Sequence, residues 1–174
     1  MHLTSPSKSQ RQRSLNAVVQ NTLQYLSQQH LLPDHLLQNL LLYSSMSEVL
    51  QEILAIKRVD HHECQWQPTD LATFSTLGFT HRYDLAVVVT AEVSLLPQTL
   101  QRCRDLFARY TLVLCPACQD LTRFGFSRFG DYPITIDEKI YHAWQFNLFN
   151  YKHLPDWLNS RFWANPENWD KYRW

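Results

Sequence analysis

Glycine is nearly missing from this sequence: of 174 residues only Gly78, Gly125 and Gly130 are glycine. Loops that wrap backbone around a phosphate or a cofactor need residues free to take positive φ and to let a ligand approach closely. No phosphate loop, nucleophile elbow or helical histidine pair around a glutamate is present, which removes the common hydrolase and nucleoside-triphosphatase readings. Net charge is missing as well, since 16 Lys and Arg balance 16 Asp and Glu. Whole-chain attraction to nucleic acid or to an anionic membrane surface is therefore not expected. No apolar stretch reaches the ~18 residues that cross a bilayer, and the polar beginning lacks the apolar core of a signal peptide. The four cysteines are Cys64, Cys103, Cys115 and Cys118, and no disulfide framework is required of them, since a chain of this length buries roughly two thirds of its unfolded surface without staples. The expectation is a cytoplasmic protein with no membrane association.

What is present is an alternation of strands and helices. The run YDLAVVVTAE at residues 83–92 sets an acidic residue before continuous apolar residues, as a strand buried on both faces does. An amphipathic helix is predicted over 97–109, with Leu96, Leu100, Cys103 and Phe107 on one face and Leu106 beside them, followed by a second apolar run at 111–115. Upstream, residues 1–13 are polar and aperiodic, and predict a disordered lead. Leu15, Val18, Val19, Thr22, Leu23 and Leu26 share one helical stripe, which Pro33 ends. Residues 40–43 read as a first core strand. Ser45-x-x-Glu48 has the spacing of a capping box, ahead of a helix carrying Met46, Val49, Leu50, Ile53 and Leu54. Residues 55–60 read as a second strand, 70–77 as a short helix stopped by Gly78, and 120–124 as another ended at Gly125. Residues 126–132 and 140–149 read as an antiparallel pair. The fold class predicted is a three-layer, mostly parallel α/β sheet over residues 14–150, with 40–43, 84–90 and 111–115 as adjacent parallel strands.

Helix-flanked parallel strands closing on an antiparallel pair, the fragment D-L-A-V-V-V-x-x-E-x-x-x-L at 84–96, and the leucine-x-x-x-glycine-phenylalanine turn at 121–126 together resemble the class I S-adenosylmethionine-dependent methyltransferases. The resemblance covers 40–149 and implies a Rossmann-like sheet with a cofactor cleft at the strand ends. It marks Ser44 and Ser45 in the first loop, Asp60 as the acidic residue that holds ribose hydroxyls after the second strand, and Asp84 and Glu92 around the fourth. The run at 151–174 is similar to the ending of a small bacterial family of uncharacterised methyltransferase-like proteins. The sequence departs from the methyltransferase pattern in the first loop, Tyr43-Ser44-Ser45-Met46-Ser47, where no glycine is present and side chains take up the space a cofactor needs. The departure predicts a non-catalytic binding or regulatory protein with no cofactor. Methyl transfer from S-adenosylmethionine is the alternative.

Cys115-Pro-Ala-Cys118 has the spacing of a redox dithiol or half a zinc site, but no second ligand pair accompanies it. Neither zinc nor a disulfide is expected there. His61-His62-Glu63-Cys64 is consecutive, so a strand would send alternate residues to opposite faces and could not gather them around a metal. The last segment concentrates aromatics: Trp157, Trp163, Trp169 and Trp174 with Tyr151, Phe162 and Tyr172, interleaved with Lys152, Arg161, Lys171 and Arg173. Pro155 and Asn165-Pro166 can open two short helices. Residues 151–174 are then expected to pack on the domain, because unburied tryptophans on this scale invite aggregation. The competing reading makes Trp157, Trp163, Trp169, Arg161 and Arg173 a grip on a protein or small-molecule partner, with nucleic acid disfavoured by the charge balance.

Overall fold

Strand β4 (Tyr83–Val89) is the middle of the molecule, and six of its seven residues are buried. Its three valines are β-branched and suit a pleated surface covered on both sides. The structure, a computed structural model, describes residues 15–34, 36–45, 47–91, 96–130, 133–136 and 138–149. On one side β4 pairs in parallel with β1 (Leu37–Tyr43), setting Val87 beside Leu41, and on the other with β5 (Ala108–Pro116), setting Val87 beside Leu112. β3 (His62–Asp70) runs parallel on the far side of β1, and the two-residue β2 (Arg58–Val59) pairs antiparallel with its start. β8 (Lys139–Asn147) closes the sheet antiparallel to β5 and carries β6 (Ser127–Arg128) and β7 (Ile134–Ile136), both antiparallel. The path reads β2-β3-β1-β4-β5-β8-β6, with β7 on β8. The three strands predicted to be adjacent and parallel are so.

Side-chain alternation divides the core into two layers around this sheet. Leu37 and Leu41, Leu85 and Val87, and Leu112 and Leu114 face α1 (Leu15–Gln28) and α2 (Glu48–Leu54), meeting Val19, Leu23, Leu50 and Ile53. Leu40 and Leu42, Ala86 and Val88, and Val113 and Cys115 face α3 (Leu71–Thr76), α4 (Leu96–Arg102) and the turn Cys103–Phe107 that follows it, meeting Phe74, Leu100, Cys103 and Phe107. Burying an aliphatic side chain of this size contributes about 1.5–3 kcal/mol, so the two layers rather than local propensity hold the short helices in place.

Several boundaries differ from the sequence expectation for identifiable reasons. The second parallel strand is β3, not residues 55–60, of which only Arg58 and Val59 pair. Asp60 takes a left-handed φ of 52° and turns the chain back instead. The α2 N-cap is Ser47, with no side-chain cap bond, so the Ser45-x-x-Glu48 spacing is not used as a capping box. The helix expected over 97–109 ends its α-helical part at Arg102, passes through a wider π-type turn at Cys103–Phe107, and gives way to β5 at Ala108 because Ala108 is already paired with Tyr83. Among the described residues of the expected strand 126–132, Ser127 and Arg128 alone belong to a strand, and Gly125, at φ 83°, ends the preceding 3-10 turn Thr122–Phe124.

Candidate functional site

In an open α/β sheet the ligand crevice forms outside the carboxyl ends of the strands, where the chain order reverses. Here that point lies between β1 and β4, because the path leaves β1 toward β3 on one side and runs from β4 to β5 on the other. Tyr43 stands at the end of β1 with Asp70 directly across from it on β3 and Val89 on β4. Ser44 and Ser45 follow immediately, half-buried and exposed respectively. The ladder continues to the rim itself: the Ser44 N–H donates to the Val89 carbonyl at 3.3 Å, and the Thr90 N–H to the Leu114 carbonyl at 3.1 Å.

Among the described residues, Asp70 is an acidic group that the strand register brings to this rim. Its carboxylate accepts the Thr73 N–H at 2.9 Å and the Thr73 hydroxyl at 2.5 Å, capping α3. The Thr73 hydroxyl, and then its N–H, hold the carboxyl below its ordinary pKa, so the group stays ionised. Sequence reading placed Asp70 only as the start of a helix. The Asp70-x-x-Thr73 cap was the available signal, and it points to the helix rather than to the rim.

The residues marked from the sequence separate. Ser44 and Ser45 are at the rim, whereas Asp60 sits in the turn between β2 and β3, ahead of the parallel strand it was expected to follow. Asp84 is the second residue of β4, at the opposite end of the sheet, and its buried carboxylate accepts the Gln38 N–H at 2.9 Å. Glu92, Trp157, Arg161, Trp163, Trp169 and Arg173 lie outside the described residues.

Further along the same rim, Cys115 pairs in register with His142. The Arg128 guanidinium meets His142 Nδ1 and lies over the Trp144 ring, 5.4 Å from its centroid. Burial first, and then the Arg128 charge, lower the His142 pKa. Burial, reinforced by Cys118, pushes the Cys115 thiol up to about 12, so it is not a nucleophile at neutral pH. Among the described residues no three His, Cys, Asp or Glu side chains gather as a metal site.

The solved structures similar to this fold include CurJ carbon methyltransferase, at 13% identity and TM-score 0.44, with 77% of this chain and 55% of that one covered. They also include magnesium protoporphyrin IX methyltransferase, ChlM, from Synechocystis PCC 6803 with bound SAM, at 15% identity and TM-score 0.40, covering 83% and 85%. The chain thus spans about half the length of the CurJ enzyme. None of the curated proteins matches it. A family profile does, over residues 16–174, and the chain belongs to that family, the family of unknown function DUF6231.

Proposed function

We propose that this chain is a methyltransferase-like protein that binds a ligand or partner in a regulatory role and does not transfer a methyl group. The observation that supports this reading most directly is the turn after β1. Its first N–H, on Ser44, is committed to the Val89 carbonyl, and Ser44 and Ser45 put side chains where a cofactor would need bare, approachable backbone. This turn does not fit S-adenosylmethionine. Calorimetry and thermal shift with S-adenosylmethionine and S-adenosylhomocysteine test the reading. Micromolar affinity would raise stability by roughly 4 kcal/mol at a thousandfold excess over Kd, and that result would overturn it. No shift at millimolar ligand is the expected outcome.

A second reading, S-adenosylmethionine-dependent methyl transfer, is supported by Asp70. An ionised carboxylate at the tip of the strand beside β1 is suitably placed to accept two ribose hydroxyls. Under this reading Asp70→Ala abolishes a measurable cofactor affinity. Under the first there is none to abolish.

A further inference from the structure

At the other end of β1 and β3, on the α3 side of the sheet, Gln38, Gln65, Gln67, His81 and Tyr83 line a cleft of about 160 Å³. Gln38 and Gln65 are register partners, and Gln67 follows two residues on, so three carboxamides project from neighbouring strands on the same face. Among the described residues α3 packs against Leu40 and Leu42, nearer the carboxyl ends, and Gln38, Gln65 and Gln67 remain exposed on that face. The chain returning to β4 walls the cleft with His81 and Tyr83, whose rings lie 4.4 Å apart. Among the described residues the side chains of Gln38, Gln65 and Gln67 and the Tyr83 hydroxyl make no hydrogen bond within the protein.

Two properties of this lining point to a ligand class. A solvated edge-strand face normally carries lysine or glutamate, which keep it soluble and unpaired. This cleft instead presents amides, each with a donor and an acceptor set side by side. It also contains no cation: Arg82, the nearest in sequence, is turned to the carbonyls of Asp105 and Leu106 at 2.8 and 3.1 Å. Amides paired two-pointedly to a ring edge, with an exposed imidazole beside them for stacking, are the groups that read an unstacked base. The absence of lysine and arginine from the lining disfavours a phosphate. We propose that this cleft binds a neutral nucleobase or nucleoside, at a site separate from the β1–β4 rim.

Ligand-observed NMR and calorimetry on the full chain, with adenosine, adenosine 5′-monophosphate and methyl α-glucoside as probes, test the assignment. Adenosine should bind more tightly than its monophosphate, and the glucoside should not bind. Gln65→Leu and Gln67→Leu change exposed side chains in a strand that tolerates leucine, and each should weaken adenosine about tenfold or more, the loss of one two-point pairing. Circular dichroism checks that both variants fold. Absence of adenosine binding at millimolar concentration overturns the proposal, as does tighter binding of the monophosphate. Unchanged adenosine affinity in both variants overturns it too, by locating the nucleoside elsewhere.

Discussion

The carboxylate of Asp84 on β4 accepts the backbone N–H of Gln38 on β1 at 2.9 Å, joining segments 46 residues apart. The bond fixes the start of one central strand against the start of its neighbour. A hydrogen bond to a charged, buried acceptor contributes about 1.5–3 kcal/mol, and removing the acceptor strands the donor. Asp84→Ala should lower the stability seen in urea unfolding by that amount. Asp84→Asn retains an oxygen acceptor and should lose less. An alanine variant as stable as the parent would show that the bond has no net worth.

The buried thiols predict a loss of stability in alkali. Burial pushes Cys103 and Cys115 up from an ordinary value of 9.0 to about 12. Between those values the native state keeps protons that the unfolded state releases, so stability is complete below pH 9 and declines as pH rises toward 12. Each thiol contributes a slope of about 1.4 kcal/mol per pH unit at most. Urea midpoints at pH 8, 10 and 11 measure the decline, and Cys103→Val should make it shallower.

Thiol chemistry gives a second, independent check. Cys118 is exposed, whereas Cys64, Cys103 and Cys115 are buried. A colorimetric disulfide reagent at neutral pH should titrate Cys118 rapidly and the other three only after unfolding. Rapid reaction of a second thiol in the native protein would mean that β3, β5 or the π-type turn that carries Cys103 opens locally.

Two glycines should respond oppositely to alanine. Gly125 has φ +83°, and a Cβ there would come within 3.3 Å of Arg104 Nη1, the atom that donates to the Phe124 carbonyl. Gly125→Ala should cost about 1–2 kcal/mol. At Gly78 a Cβ would meet no atom within 4 Å, and the residue has no positive φ. Gly78→Ala should be neutral or stabilise by about 0.4–1 kcal/mol through the unfolded chain. Thermal melts of both variants make the comparison.

The central strands were legible because a strand buried on both faces must be apolar throughout, as Leu85 to Val88 are. The apolar face of the segment 97–109 was equally plain, since Leu100 on α4 and Cys103 and Phe107 in the π-type turn all emerge buried. β3 is less plain because one of its faces is exposed and it carries Pro68: Cys64 and Trp66 turn inward between exposed Glu63, Gln65 and Gln67, so the segment has no continuous apolar run. The rim was read only in part. Ser44 and Ser45 could be placed from the strand that precedes them. Asp84 could not, because its use by Gln38 depends on a pairing partner that only the folded sheet supplies. Leu106, expected beside the buried face, is 46% exposed because the π-type turn rotates it outward.

β3 carries a proline where a sheet can best tolerate one. The Cys64 N–H donates outward, to the Lys57 carbonyl at 2.8 Å, and alternation turns the backbone of Trp66 and Pro68 the same way. Pro68 therefore takes no hydrogen bond from its ladder with β1, where it stands opposite Leu41. It presents a ring to the outside in place of a donor. Among the described residues, a strand offered by another molecule finds no continuous ladder on this side: β2 occupies the first positions and Pro68 interrupts the rest. The edge is closed to strand addition, which guards the β3 border against sheet-to-sheet aggregation although half of it is uncharged.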